Sequence, residues 1–190
     1  MTRLRGALAR HAPTYVGHVV GACLGLVFVV VNSSPLGPVL RGVACALAGA
    51  AFAVVLAAFA RTVAAERRSQ RRGDPVDFDR RYRLIVAVEV VALLGGLAVL
   101  TRTEPAAALG WITLVVGVHL IPLSRLWSQG RQILSIGVAM TALGVIGLVL
   151  AFATQDQSLV AVVCGVGSGA VLLGTTLVPA SRTWGLLRPP

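Results

Sequence analysis

Six apolar runs divide the chain, each separated from the next by a polar interval. They lie at Tyr15–Asn32, Gly42–Ala60, Leu84–Thr101, Ala106–Leu123, Ile133–Ala153 and Leu159–Val178. A spanning helix needs about 20 predominantly apolar residues, and all six runs come close to that length. In hydrocarbon every backbone polar group must be paired within its own segment, which helices achieve. The pattern therefore predicts an all-α, polytopic transmembrane bundle of six spans, forming a single domain over residues 1–190. The first, third and fifth intervals are very short: Ser33-Ser34-Pro35, Thr103-Glu104-Pro105 and Thr154-Gln155-Asp156-Gln157. The spans thus pair as three helical hairpins, with no room for a domain on the outer side.

Composition supports this class. The chain is 56% hydrophobic and only 13% charged, about half the charged share of a soluble domain. A soluble core of this size could not hide so much apolar surface. The formal net charge of +10 comes from 17 basic residues, all arginine, against 7 acidic ones. The absence of lysine and the Ala/Gly/Val-rich spans fit a GC-rich bacterial genome. A basic balance can signal nucleic acid, but here the arginines follow the topology instead. Arg3, Arg5, Arg10, the eight from Arg61 to Arg83, Arg125, Arg131, Arg182 and Arg188 fall on one side of the six-span layout; only Arg41 and Arg102 fall on the other. Positive charge collects in cytoplasmic loops, so both termini are expected in the cytoplasm, and the expected location is a bacterial inner (plasma) membrane. Tyr15, Tyr82, Trp127 and Trp184 sit at the same ends, where amphipathic rings favour the interface. The first run is too long, and too free of a small-x-small site before Pro35, for a cleaved signal peptide.

The interval Arg61–Arg83 is expected to be an arginine-rich cytoplasmic loop with a turn at Gly73-Asp74-Pro75. Its charges suit contact with anionic lipid headgroups. Gly21 with Gly25, Gly165 with Gly169, and Gly137, Thr141 and Gly144 on one face are spaced for close helix approach, within one chain or in a homo-oligomer. Gly165-Val-Gly167-Ser-Gly169 lacks the preceding strand and following lysine of a phosphate loop. Cys23, Cys45 and Cys164 lie far apart in apolar runs, without metal-ligand spacing to the histidines. No metal or cofactor is expected.

Few polar residues inside the spans need an explanation. Glu89 lies about five residues inside span three, roughly 8 Å deep. An acid there should face protein, and Gly96, two turns on along the same face, suggests that it does. His119 lies at a similar depth in span four, on the partner helix of the same hairpin, and His18 at a similar depth in span one. These three form a titratable layer in the cytoplasmic third of the membrane. Glu89 and His119 are the candidate catalytic pair; His18 and Trp111, the one tryptophan well within a span, are candidate substrate-binding residues. Pro122 can kink or end span four beside His119. The alternative for the cluster is a buried polar contact that fixes helix register.

The segment Gly110–Trp127, GWITLVVGVHLIPLSRLW, resembles a stretch of small uncharacterised bacterial multi-pass membrane proteins, in which an H-x-x-P-L-x-R run closes one helix: His119, Pro122, Leu123 and Arg125 here. The resemblance covers about a tenth of the chain. It implies the membrane class and no activity.

Three functions fit these residues. One is a small-solute or proton-linked transporter or channel subunit, acting as an oligomer at this length, although no inverted repeat or helix broken mid-membrane is evident. Another is an intramembrane enzyme on a lipid-like substrate, terpene-cyclase-like, with Glu89 as general acid, although only 5% of the chain is aromatic. The third is a non-catalytic assembly or immunity protein. Soluble-enzyme motifs are absent, and Ser168 with His119 does not match in depth for a serine protease.

Overall fold

The computed structural model describes residues 12–69, 80–126 and 130–186. Among them all regular structure is helical: α1 (Ala12–Asn32), α2 (Gly37–Ser69), α3 (Arg80–Thr103), α4 (Ala108–Leu123), α5 (Gly130–Thr154) and α6. The last runs through residues 157–186 as Gln157–Val160, a π-helical segment Ala161–Val166, and Gly167–Leu186. Five stretches are long and apolar enough to cross a membrane: Ser34–Ala65, Arg80–Thr103, Pro105–Leu123, Gly130–Thr154 and Gln157–Val178. The apolar helix Gly17–Asn32 is shorter. Val31, Val39, Leu84, Val91, Val149 and Phe152 all point outward. An apolar exterior of this extent suits lipid and would aggregate in water.

The three short turns form as the polar intervals predict. A 3₁₀ turn, Ser34–Leu36, leads into Gly37, whose φ of 76° is open to glycine without strain. Another, Pro105–Ala107, opens α4. At the third, Asp156 accepts hydrogen bonds from the Ser158 and Leu159 amides, capping α6. The interval between α2 and α3 departs from expectation. Its first part is helix, because α2 continues past Ala60 to Ser69. Thr62-Val-Ala-Ala-Glu-Arg-Arg68 is rich in strong helix formers, and hydropathy registers only the apolar part of a helix. Helix also takes up the last part of the expected 61–83 loop, because α3 begins at Arg80. Residues 70–79, with the Gly73-Asp74-Pro75 sequence, lie outside the described residues, as do Trp127 and the side chains of Tyr15 and Trp184.

Two backbone-to-backbone crossings organise the packing. On α4 and α5, a Cβ added at Gly117 would meet the Thr141 amide, one at Gly144 would meet the Leu114 backbone, and one at Gly110 would lie 2.9 Å from the Leu148 amide nitrogen. On α1 and α6, a Cβ at Gly25 would lie 3.0 Å from the Gly169 carbonyl oxygen, and one at Gly169 would lie 2.7 Å from that of Gly25. Small residues let helices approach where lipid supplies no hydrophobic drive. The glycine pairs of spans one and six therefore serve packing within the chain. Helices α1, α2 and α6 form one group, α4 and α5 a tight pair, and the π segment of α6 contacts α1, α4 and α5. Helix α3 has no buried residue and leans on α4 and its opening turn.

Candidate functional site

The α3–α4 hairpin brings Glu89 and His119 together. The short turn at Glu104 makes the helices antiparallel, and two contacts set their register. Trp111 Nε1 donates to the Ala92 carbonyl at 3.1 Å, with its indole lying over Gly96, where any side chain would collide with it. Seven residues along α3 from Gly96, and eight along α4 from Trp111, Glu89 Oε1 lies 2.9 Å from His119 Nδ1. The carboxylate approaches off the N–H direction, so the contact is at ion-pair distance without an aligned hydrogen bond. The histidine ring also lies within reach of the Val115 and Val116 carbonyls of its own helix. The two side chains are 15% and 16% exposed, open enough to meet a small group from outside. A carboxyl and an imidazole at this distance can hold or pass one proton between them.

Further along the hairpin, α3, α4 and α5 line an open apolar groove of about 660 Å³, which Glu89 and His119 do not themselves line. Val91, Ala92 and Gly95 form one wall, Trp111 the floor, and Leu148 and Phe152 the other wall. Val91, Val99 and Phe152 of its lining are exposed on the outside of the bundle. Its α3 wall continues the face of Glu89: Ala92 is three residues further on, and Gly96 seven.

His18 does not join this site. It is buried on α1, one turn before Gly21, which faces Thr176 of α6. Helix α1 packs on α2 and α6 and makes no substantial contact with α3 or α4. The expected layer of three titratable groups is thus split between two packing groups. Hydropathy sets depth along a helix but not the direction in which a residue points. Trp111 lines the groove and holds the hairpin register through its bond to Ala92. At Pro122 the helix ends: α4 stops at Leu123, and the Ser124 amide caps back to Leu120. Among the described residues no group of three or more His, Cys, Asp or Glu side chains comes together. A carboxylate and an imidazole alone are fewer ligands than a structural zinc site uses.

Thr113 on α4 adjoins Cys164 on α6, and Ser168 is buried one turn further along α6, a grouping the sequence reading did not foresee. The only signal for them in the sequence was small polar residues mid-span. Comparison with protein-family models, curated proteins and solved structures finds no match for this chain.

Proposed function

We propose that this chain binds and processes a lipid-like molecule. The molecule's chain would lie in the groove between α3, α4 and α5, and its polar end would meet the Glu89–His119 pair. One observation carries this reading: the pair and the groove share a single face of α3, through Glu89, Ala92 and Gly96. A ligand lying along that face would have its apolar part in the groove and its hydrogen-bonding head about one turn away, at Glu89 and His119. Glu89 is then the proton donor or acceptor, and His119 holds its carboxyl in place. Transport ranks second. It calls for a polar cavity at the pair, and the groove walls are apolar instead; in its favour is the π segment of α6, an interruption of the kind transporter helices use.

Gly95 offers a direct test, because an added Cβ there has open space around it. Gly95→Leu should fold normally and fill the groove. Native mass spectrometry of detergent-purified protein is expected to show a co-purifying lipid in the wild type and at least a tenfold loss in the variant. A wild type that carries no lipid, or equal retention in the variant, refutes the reading.

The topology belongs to the same proposal: six spans, both termini cytoplasmic, in a bacterial plasma membrane, with the arginine-rich 61–83 region against anionic headgroups. Each arginine near such a surface contributes about 1 kcal/mol. Replacing Arg67, Arg68, Arg71 and Arg72 by glutamine should weaken docking of nanodisc-held protein onto anionic vesicles more than tenfold. Unchanged docking would remove the headgroup contact.

A further inference from the structure

The centre of the bundle holds a second polar site, independent of the groove. Its backbone element is the π segment Ala161–Val166 of α6. A π turn shifts the hydrogen-bond register by one residue, and such turns mark functional positions more often than chance would. Polar side chains from three helices surround this one. Asn32 of α1 packs over Gly165, where any side chain would collide with it. Cys164 donates its thiol hydrogen to the Leu143 carbonyl of α5 at 3.2 Å, and Gly147 leaves the space its sulfur occupies. Thr113 of α4 lies beside that thiol, its hydroxyl not aligned for a hydrogen bond to it. Ser168 lies one turn further along α6.

The hydroxyls of Thr113 and Ser168 set this site apart. Both residues are 0% exposed, and neither oxygen has a protein hydrogen-bond partner. Elsewhere, threonines in these helices fold back onto their own backbone: Thr62 to Ala58, Thr101 to Leu97, Thr141 to Gly137, Thr154 to Leu150 and Thr175 to Val171. Serines 124 and 135 bond to the carbonyl three residues back. Thr113 and Ser168 forgo that option. Leaving a buried hydroxyl unpaired is costly, and a ligand at the site would remove that cost.

We infer that Thr113, Cys164 and the π segment, with Ser168 beside them, form a binding site for water at the centre of the bundle, joining α4 to α6. The chemistry selects water. The surrounding groups are neutral donors and acceptors, with no carboxylate to balance a cation, and a buried water takes about three hydrogen bonds from such groups. Bound there, water links the α1–α2–α6 group to the α3–α4–α5 half.

Infrared spectroscopy of the Cys164 S–H stretch tests this in a Cys23→Ala/Cys45→Ala background. With water at the site, the thiol converts to S–D within minutes of transfer to D₂O. Thr113→Val, of nearly equal shape, should shift the band and slow conversion at least tenfold, while Thr113→Ser restores both. Ser168→Ala, should Thr113→Val fail to fold, is expected to shift the band in the same way. A thiol that stays S–H for days in the wild type, or identical bands and rates in all variants, overturns the site.

Discussion

Glu89→Gln is expected to fold like the wild type yet lose at least nine-tenths of its bound lipid, and His119→Ala to lose as much with some loss of stability. The two substitutions remove different things. Glutamine keeps the size of Glu89 and its capacity to hydrogen-bond, but carries no titratable proton. Alanine at 119 removes the one ring that lies 2.9 Å from the carboxylate and leaves that carboxylate facing apolar surroundings. A hydrogen bond to a charged group is worth about 1.5–3 kcal/mol, and a tenfold change in affinity corresponds to about 1.4 kcal/mol. Loss of one such contact at the ligand's head therefore suffices for the expected effect. Lipid retention by native mass spectrometry and proton flux in proteoliposomes, measured on the same preparations, separate the readings. Lipid loss in both variants supports the groove ligand. Intact lipid with abolished proton flux transfers the pair to transport. Wild-type behaviour in both assays reduces Glu89 and His119 to a contact that sets the register of α3 on α4.

The largest loss of stability is expected from Gly144→Leu. The first atom of the new side chain would fall on the Leu114 backbone, and no rotamer change can move a backbone out of the way. Overpacking of a tight contact costs typically 1–3 kcal/mol and more when helices must separate. At about 2–4 °C per kcal/mol for a chain of this size, the thermal midpoint in detergent should fall by roughly 10 °C. Gly49→Leu is the matched comparison: an added Cβ there meets nothing within 4 Å, and its midpoint should stay within about 2 °C of the wild type. Equal midpoints for the two variants would show that the α4–α5 crossing is looser than these contacts imply.

The adjacency of Glu89 and His119 was legible without coordinates, and the reason is geometric. Both lie near the same depth, and the three-residue interval Thr103-Glu104-Pro105 leaves α3 and α4 no arrangement except antiparallel neighbours. Gly96 was legible in the same way as a position facing protein, although its partner, Trp111, was not. His18 shows the limit. Its expected depth matched the pair, yet it is buried in the α1–α2–α6 group. The apolar groove, the unburied α3 and the unpartnered hydroxyls of Thr113 and Ser168 had no counterpart in the reading of the chain. The continuation of α2 to Ser69 was hidden because arginine and glutamate end an apolar run without ending a helix.

By itself, the sequence determined the all-helical class, the apolar exterior, the three tight turns and the position of each polar residue along its helix. These follow from runs of apolar residues and from the chemistry of Pro, Gly and Asp at fixed positions. The tertiary structure alone decided which helix pairs with which beyond the hairpins, which face of each helix turns inward, and where α6 loosens into a π turn. In water a helix advertises its inner face by being apolar there and polar elsewhere. In a chain whose surroundings are as apolar as its core, that contrast disappears. The inward faces are then chosen by glycine-to-backbone fit, as at Gly144 on Leu114 and Gly25 on Gly169, and such fit exists only once the helices have met.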